Sequence, residues 1–180
     1  IYADASGLNN LKLETYQSNL IYPPSAISST NSITLTSSTL QNGNFSSSSS
    51  SNLANAYLAF DKITNGASAN IWNSATVSYN TTTGLYIGTT YSTSVQGTTV
   101  YGEWIEITLP NRIILTSYSI TARSDSYTYQ VPYSWIIVAS NDNGTNWYQI
   151  DLRNSFSFTS SQVRTFNINN NLYYISNDYY

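Results

Sequence analysis

The sequence contains neither cysteine nor histidine, and both absences narrow the chemistry that the protein can perform. Without cysteine there are no disulfides and no thiolate nucleophiles. Without histidine there are no Ser-His-Asp or Cys-His sites and no histidine-ligated zinc. A pair of carboxylates remains, but Glu103 and Glu106 point to opposite faces of a predicted strand, and Asp125 lies beside Arg123, where a salt bridge is expected. We therefore predict that the protein is not an enzyme.

Charged residues are also scarce. They make up 8% of the chain, the six lysines and arginines are scattered, and the formal net charge is −3. A protein that neutralises nucleic-acid phosphates or anionic lipid headgroups needs clustered basic side chains. The sequence also has no run of about 18 apolar residues, the length that a membrane-spanning helix needs. We therefore predict no nucleic-acid partner and no membrane insertion.

The residues that are abundant are aromatic or small and polar. Hydrophobic residues make up 41% of the chain, and 17 tyrosines and four tryptophans stand among serine, threonine and asparagine. Aromatic and β-branched residues favour strands, whereas serine and asparagine favour turns over helix interiors. At 180 residues, one domain can bury roughly 70% of the surface that the unfolded chain exposes. The composition therefore predicts an all-β fold.

The clearest structural signal is a β-hairpin over residues 135–151, WIIVASNDNGTNWYQID. Apolar runs over 135–139 and 147–150 flank a polar segment, in which Asn143-Gly144 can adopt the positive φ angles of a tight reversal. Apolar side chains occupy both parities of the first run, which is typical of a strand covered on both faces. We therefore predict a two-sheet sandwich with this hairpin at its centre.

Further short strands are predicted along the chain at intervals of about 8–12 residues, which is typical of a sandwich or jelly roll. The serine run over 46–51 is predicted to form a polar strand at the rim. Residues 76–102 form a long irregular stretch, and loops above about 15 residues are usually functional or disordered. Because proline breaks ladders, Pro23-Pro24 marks a boundary. We predict a linker, shaft segment or edge strand over residues 1–22 and the sandwich domain over residues 23–180.

A family resemblance rests on five segments in order: AFD at 59–61, WNS at 72–74, GEWIEITLP at 102–110, YSITARSD at 118–125 and VPYSWIIVASNDNGTNW at 131–147. Over about residues 23–175 the chain resembles the F5/8 type C (discoidin-like) domain, whose superfamily also contains galactose-binding-like carbohydrate-binding modules. The resemblance implies an antiparallel jelly-roll β-sandwich of about eight strands, with ligand-binding loops at one end and no catalysis. The tryptophans fall at inward strand positions, so we predict core anchors and not ligand platforms. They are Trp72, Trp104, Trp135 and Trp147.

The resemblance also implies a structural calcium at the AFD loop, in an oxygen cage of a carboxylate, backbone carbonyls and a hydroxyl. Three departures from the family pattern oppose it. Lys62 stands where the family has glycine, the loop to Trp72 is longer, and a closing strand that often donates an acidic ligand is expected to be missing at Tyr180. The alternative is that the carboxylate only caps a turn. The implied calcium ligands are the side chain of Asp61, the carbonyls of Leu58 and Ile63, and Ser68 or Asn70.

Loop tyrosines and polar side chains are the candidate ligand contacts. A sugar ring is held by an aromatic face against its apolar side and by planar polar groups that pair with its hydroxyls. For any single tyrosine, half-buried packing is the plainer alternative. The ARSD segment resembles a recurrent family segment, in which the arginine can instead serve the loop's own structure. The predicted ligand contacts are Tyr79, Tyr86 and Tyr91 in the long stretch, and Arg123, Asp125, Tyr127 and Tyr129 after YSITA.

Two functions are consistent with these features. The first is a non-catalytic, lectin-like adhesion module that binds a glycan or glycosylated surface from an extracellular position on a cell or virion. The second is a structural or assembly protein of a virion or fibre, a head or spike domain that uses the same fold to dock other subunits. A missing last strand would leave a sheet edge with which residues 1–22 or a neighbouring subunit could pair.

Overall fold

The computed structural model describes residues 20–35, 42–66, 70–74, 79–80, 82–83, 85–125 and 130–168. These residues form nine short strands and one 3₁₀ helix. No helix in the described ranges is long and apolar enough to cross a membrane. In chain order the elements are β1 (Ile33–Leu35), β2 (Gly43–Ser49), the 3₁₀ helix (Leu53–Ala59), β3 (Ser92–Val95), β4 (Thr98–Tyr101), β5 (Ile105–Thr108), β6 (Ser117–Thr121), β7 (Trp135–Ala139), β8 (Tyr148–Arg153) and β9 (Val163–Asn167).

The strands pair as several small antiparallel sheets. One sheet has three strands in the order β1-β2-β5, and the others are the pairs β3-β4, β6-β9 and β7-β8. Every ladder between named strands in the described part of the chain is antiparallel. The predicted all-β class is therefore confirmed.

The chain joins the fold soon after the predicted boundary at Pro23-Pro24. Pro23 is buried and Ile27 is fully buried, with its backbone N–H donating to the carbonyl of Phe60 at 3.3 Å. Residues 1–19 lie outside the described residues. The division into residues 1–22 and 23–180 therefore stays a prediction.

The sequence predicts that the serine run lies at the rim, but in the structure it lies in the middle of the three-stranded sheet. β2 pairs with β1 through residues 43–45 and with β5 through residues 46–49. Ser47 and Ser49 are buried on the same side as the fully buried Phe45. A small hydroxyl side chain can enter an interior when it bonds to nearby backbone, as Ser49 Oγ does by donating to the carbonyl of Ser51 at 2.7 Å. Polar composition therefore misleads about the position of this strand.

The hairpin over residues 135–151 forms as predicted, but not in the predicted place. β7 and β8 are antiparallel, and their loop contains Asn143 and Gly144 at φ angles of 56° and 78°. Among the described strands β7 pairs only with β8, so it is not the middle of a larger sheet. All five residues of β7 are half-buried, which agrees with the apolar pattern on both faces. Burial of both faces reports what packs above and below a strand, and it does not require a neighbour at each edge.

The main aromatic cluster forms where β6 and β9 meet the start of β7. Its buried members are Ala122, Phe158 and Phe166, and Trp135 packs against them. The ring centroid of Trp135 lies 5.1 Å from that of Phe166, in an edge-to-face arrangement, and 5.3 Å from that of Phe156. Such pairs contribute about 0.5–1.5 kcal/mol each beyond the area they bury. Trp135 is thus the core anchor that the sequence predicts. All four tryptophans are half-buried: Trp72, Trp104, Trp135 and Trp147.

A chain of hydrogen bonds runs beside this cluster from Trp135 to Arg153. The indole Nε1 of Trp135 donates to the Tyr118 hydroxyl at 2.8 Å, and that hydroxyl donates to Asp151 Oδ2 at 2.6 Å. Arg153 Nε donates to the same carboxylate oxygen at 2.8 Å, and its Nη2 donates to the carbonyl of Asn167 at 2.7 Å. Burial, reinforced by the hydrogen bond to Asp151, raises the pKa of Tyr118 to about 12. The chain therefore ties β6, β7, β8 and β9 together.

Replacing Tyr118 with Phe should lower the free energy of unfolding by about 1–3 kcal/mol, because the Trp135 N–H and the Asp151 carboxylate each lose a partner in partly buried surroundings. Urea unfolding followed by tryptophan fluorescence measures the change. Tyr133→Phe is the control: Tyr133 is 41% exposed, and the change there should stay within about 0.5 kcal/mol. A Tyr118→Phe protein as stable as the parent would contradict the linking role of the chain.

Stability should also fall in acid in a way that depends on Asp151. Burial alone would raise the pKa of Asp151, but the hydrogen bonds from Arg153 and Tyr118 outweigh it and leave the pKa below its ordinary value. The contribution of this carboxylate is therefore fully present above the unfolded pKa of about 3.9, and it is lost as the pH falls through the folded value. Urea unfolding from about pH 7 down to pH 2 should show a shallower acid loss in Asp151→Asn than in the parent. Equal slopes would mean that this carboxylate is not responsible.

Candidate functional site

The stretch over residues 76–102 is not irregular throughout, because the hairpin β3-β4 occupies its second half. A tight reversal precedes this hairpin. In it Tyr79 and Tyr86 form an isolated antiparallel bridge, and the N–H of Asn80 donates to the carbonyl of Leu85 at 2.8 Å. The reversal brings two of the predicted ligand contacts side by side.

The side chain of Asn80 holds this reversal closed. Its Oδ1 accepts from the backbone N–H of Thr82 at 2.9 Å and from that of Thr83 at 2.8 Å. Asparagine can cap its own turn in this way, so the backbone needs no sheet or helix to satisfy these donors. The positions of the flanking tyrosines are therefore set by local bonds.

Three predicted ligand contacts, Tyr79, Tyr86 and Tyr91, come together at this place. The rings of Tyr79 and Tyr86 meet edge to face, with centroids 5.4 Å apart and planes at 71°. The Tyr86 hydroxyl accepts from the N–H of Tyr91 at 3.2 Å, which ties the reversal to the start of β3. Gly88 packs against the Tyr86 side chain, where a Cβ would lie 2.7 Å from the hydroxyl oxygen, so a larger residue would displace the ring. The result is a fixed aromatic pair.

The Tyr79 side chain is partly exposed, and its hydroxyl lies near Glu103. The residue is 39% exposed, yet burial raises the pKa of its hydroxyl. The backbone N–H of Glu103 acts in the opposite direction, and the Glu103 carboxylate raises that pKa again. Partial exposure and a pKa raised by burial are compatible if the hydroxyl points toward Glu103 and the exposed part of the side chain is the ring. The ring is then the part that can contact a ligand.

Exposed apolar side chains accompany the aromatic pair. Leu85, Ile87 and Tyr101 are 54%, 63% and 55% exposed. Exposed apolar groups concentrated in one place mark an interaction site, whereas single ones need no explanation. We name the following residues the tyrosine surface: Tyr79, Leu85, Tyr86, Ile87 and Tyr91.

Arg123 lies beneath the surface. It is 8% exposed, and its guanidinium donates from Nε and Nη2 to the two carboxylate oxygens of Asp125. Its Nη1 donates to Oε1 of Gln130. A bidentate pair of this kind fixes the geometry of both side chains. The position of Arg123 therefore favours the alternative in which it serves the structure of its own loop and positions Asp125.

The loop that starts at Ser124 is anchored to the segment after the AFD motif. The N–H of Ser124 donates to the carbonyl of Gly66 at 2.9 Å, and its Oγ donates to the carbonyl of Asn65 at 2.9 Å. From the other side, Ser160 Oγ donates to the carbonyl of Ser124 at 2.8 Å. The predicted ligand loop and the predicted calcium loop are therefore neighbours.

The predicted ligand contacts fall into two groups with different neighbours. The tyrosine surface adjoins Glu103 and the start of β3, whereas Arg123 and Asp125 adjoin the residues after the AFD motif. Tyr127 and Tyr129 lie outside the described residues, so their contribution stays a prediction.

The predicted calcium loop contains one atom that fits a cation. Asp61 Oδ1 accepts from the N–H of Ile63 at 2.8 Å, which is the turn-capping role. Asp61 Oδ2 is buried and accepts no hydrogen bond within the described residues. A buried carboxylate oxygen without a partner is the kind of ligand that a hard cation satisfies. Lys62 donates its amine to the carbonyl of Pro24 at 3.0 Å, so its charge is engaged there.

The other implied calcium ligands are described only in part. Leu58 lies in the 3₁₀ helix, Asn70 is exposed, and Ser68 lies outside the described residues. No cluster of three or more acidic residues, histidines or cysteines suited to a metal occurs in the described ranges. The Asp61 side chain, helped by the carbonyls of Leu58 and Ile63, would hold the ion, which would contribute charge neutralisation and loop rigidity.

Glu103 is a buried group that sequence reasoning considered only as half of a rejected carboxylate pair. Its Oε2 accepts from Ser50 Oγ and from Ser51 Oγ, the latter at 2.8 Å. The N–H of Trp104 donates to Ser50 Oγ at 2.9 Å. Oε1 of Glu103 is buried and has no hydrogen bond in the described part of the chain. The sequence marks only the serine end of this cluster, at Ser50 and Ser51. Their contact with Glu103 depends on the pairing of β2 with β5, which local pattern does not predict.

Comparisons of the chain with models of known protein families, with curated proteins and with solved structures found no match. The resemblance to the F5/8 type C domain therefore stays a hypothesis from the five sequence segments.

Calcium should raise the melting temperature of the protein, and Asp61→Asn should remove that rise. At a Ca²⁺ concentration about 100 times its Kd, binding to the folded state adds about 2.7 kcal/mol. In a chain of this size that corresponds to a Tm increase of roughly 5–11 °C. Asparagine keeps an acceptor for the Ile63 N–H but removes the charge that attracts the ion. Calorimetry with Ca²⁺, Mg²⁺ or EDTA makes the comparison.

The control for this experiment is Asp142→Asn, at an exposed loop carboxylate, which should keep the calcium response. An unchanged Tm in the parent at saturating calcium would show that Asp61 only caps its turn.

Proposed function

We propose that the protein is a non-catalytic, lectin-like carbohydrate-binding module that acts in adhesion at an extracellular cell or virion surface. The proposed scaffold is an antiparallel jelly-roll β-sandwich of about eight strands, similar to F5/8 type C (discoidin-like) and galactose-binding-like domains. The antiparallel pairing of the described strands and the aromatic cluster around Trp135 support this scaffold.

The Tyr79–Tyr86 pair is the observation that carries the proposal. Its ring centroids lie 5.4 Å apart, and Tyr79 is 39% exposed. The apolar face of a sugar ring can stack on such an aromatic ring. Immobilising a free side chain on binding costs about 0.5–1.5 kcal/mol, and a side chain that is already fixed avoids much of this cost. The pair is therefore pre-organised for stacking.

Polar contacts would come from the loop after β6. Arg123 holds the Asp125 carboxylate in one geometry, and each carboxylate oxygen can accept more than one hydrogen bond. In the proposal Arg123 positions the loop, while Asp125, Tyr127 and Tyr129 contact sugar hydroxyls. This role for the two tyrosines comes from the sequence alone.

The pKa shifts of two carboxylates, Asp142 and Asp151, favour structural roles for these groups over a role in catalysis. Hydrogen bonds from Ser140 and Asn146 lower the pKa of Asp142 to about 2, and the pKa of Asp151 is lowered as well. A general acid for glycoside hydrolysis needs the opposite shift, toward neutral pH. These two groups are therefore suited to structural hydrogen bonding.

The exposed aliphatic side chains favour a second candidate function, the docking of subunits. Leu85 and Ile87 are more than half exposed, and they flank Tyr86 in the chain. A protein partner buries such side chains more fully than a sugar does. The chain would then be a structural or assembly domain, a head or spike of a virion or fibre. It would associate through the tyrosine surface or through residues 1–22.

Glycan binding should depend on Tyr79 and be insensitive to Tyr133. Tyr79→Ala should weaken binding to glycans on an array roughly 5- to 10-fold, because a stacking ring is lost, whereas Tyr79→Phe keeps the ring and should keep most of the affinity. Tyr133→Ala is the matched control, since Tyr133 is 41% exposed and Tyr79 is 39% exposed. Unfolding curves of each variant separate loss of contact from loss of fold.

An array on which the parent binds no glycan, with or without calcium, would overturn the proposal. The docking alternative predicts concentration-dependent association in analytical ultracentrifugation that Ile87→Asp abolishes. That result together with a blank array would favour the second function.

A further inference from the structure

A hollow separate from the tyrosine surface lies between the turn of β3-β4 and the loop that joins β7 to β8. Its volume is about 150 Å³. We name it the hairpin cleft. Six side chains that line it are those of Ser94, Gln96, Thr145, Asn146, Trp147 and Tyr148.

Backbone contacts hold the two walls of the hairpin cleft together. The N–H of Gln96 donates to the carbonyl of Trp147 at 3.0 Å, and Val95 forms a parallel bridge with Trp147. Gly144 packs against the indole, where a Cβ would lie 3.2 Å from Cζ2 of Trp147. The walls are therefore positioned before a ligand arrives, which lowers the entropic cost of binding.

Asp142 orders the loop wall of the cleft. It accepts from Ser140 Oγ at 2.6 Å, from the N–H of Asn146 at 2.9 Å and from Asn146 Nδ2 at 2.6 Å. These bonds fix the orientation of the Asn146 amide. The amide oxygen of Asn146 accepts no hydrogen bond from the described residues, and so it can accept one from a ligand.

The lining groups of the cleft are all neutral. They comprise two amides, three hydroxyls and the two aromatic rings of Trp147 and Tyr148. Within the described residues, no hydrogen bond engages the side chain of Gln96 or the hydroxyls of Ser94 and Tyr148. Tyr148 is 42% exposed. The cleft thus offers directional polar groups and an aromatic surface, without a charge.

Gln96 stands in a backbone conformation that glutamine rarely adopts. Its φ is 50° and that of Gly97 is 81°, as in a type I′ turn, where asparagine or glycine is preferred at the first position. Residues held in such regions cluster at binding sites. Glutamine reaches one methylene further than asparagine from the same turn, which extends its amide along the cleft.

From this geometry we infer that the hairpin cleft is a second binding site, which takes a single neutral sugar ring. Planar amides pair with neighbouring hydroxyls, and the aromatic rings accept the apolar face of the sugar. The volume is about half that of the smallest pockets for drug-sized molecules, roughly 300 Å³, so one ring fits and a longer segment does not. The inference does not rest on the proposed function, because the cleft shares no residue with the tyrosine surface.

The cleft shares no residue with either group of predicted ligand contacts. It begins at Ser94, three residues or roughly 10 Å along β3 from Tyr91 of the tyrosine surface. Binding at the cleft can therefore be measured separately.

Titration of the full chain with the methyl glycosides of glucose, galactose and mannose, followed by ¹⁵N–¹H NMR, tests the inference. At least one glycoside should shift the backbone amides of Gln96, Gly97 and Asn146 and the indole of Trp147 in a saturable way, with a Kd on the order of 1 mM. Gln96→Asn should weaken this binding roughly 3- to 10-fold through the lost hydrogen bond. Because Asn-Gly suits the turn better, thermal stability should not fall in this variant.

Two further variants separate this inference from the proposed function. Tyr148→Ala should also weaken binding at the cleft, while Tyr79→Ala should leave the cleft shifts unchanged. Shifts at Tyr86 and Tyr91 that vanish in Tyr79→Ala report on the tyrosine surface instead. No saturable shift at the cleft amides with any of the three glycosides would overturn the inference, and so would equal Kd values for Gln96→Asn and the parent.

Discussion

One oxygen of the Asp151 carboxylate links β6 to β8 beside the aromatic cluster. It accepts from Tyr118 on β6 at 2.6 Å and from Arg153 on β8 at 2.8 Å, and Tyr118 in turn accepts from Trp135 on β7. A half-buried carboxylate must keep its partners, so none of these strands can shift along its neighbour without breaking one of these hydrogen bonds. The guanidinium of Arg153 also lies 5.4 Å from the ring centroid of Phe166, which adds β9. These hydrogen bonds therefore fix the ends of the four strands, and the strand ends in turn position the loops that leave them.

A second polar junction connects the serine strand to the tyrosine surface. Glu103 accepts from the hydroxyls of Ser50 and Ser51, and its carboxylate and backbone N–H both act on the Tyr79 hydroxyl. Small hydroxyl side chains are able to reach a buried carboxylate because they bring little bulk, and each such bond removes part of the cost of burying the charge. The position of the Tyr79 side chain therefore depends on residues that lie roughly 25 to 30 positions from it in the chain, a distance that local pattern does not cover.

Local signals in the sequence predict the fold class and one hairpin, but they predict little of how the strands and loops contact one another. The strand-rich composition predicts the all-β class, and Asn143-Gly144 predicts the hairpin, because both depend on properties of single residues or neighbours. The position of the serine strand is predicted wrongly, because a hydroxyl that bonds to nearby backbone, as that of Ser49 does, is as compatible with an interior as with a rim. The burial of Arg123 depends on Asp125 and Gln130 closing over its guanidinium, and the hairpin cleft depends on two loops about 50 residues apart. The cleft arises from pairing at long range, which residue type and spacing do not encode, whereas the Arg123–Asp125 pair spans two residues and is the salt bridge that the sequence predicts.

The arrangement of the two proposed binding regions has a consequence for affinity. The tyrosine surface lies at one end of the hairpin β3-β4 and the hairpin cleft begins toward the other, roughly 10 Å along the strand. A shallow site for one sugar ring binds on the order of 1 mM, because a single ring has few atoms with which to offset the loss of translational freedom. When one branched glycan or a dense glycosylated surface reaches both regions, the second contact forms at an effective concentration in the millimolar range or above. If both proposals hold, two weak sites on one hairpin favour crowded glycans over free sugars, which is the discrimination that the proposed adhesive function requires.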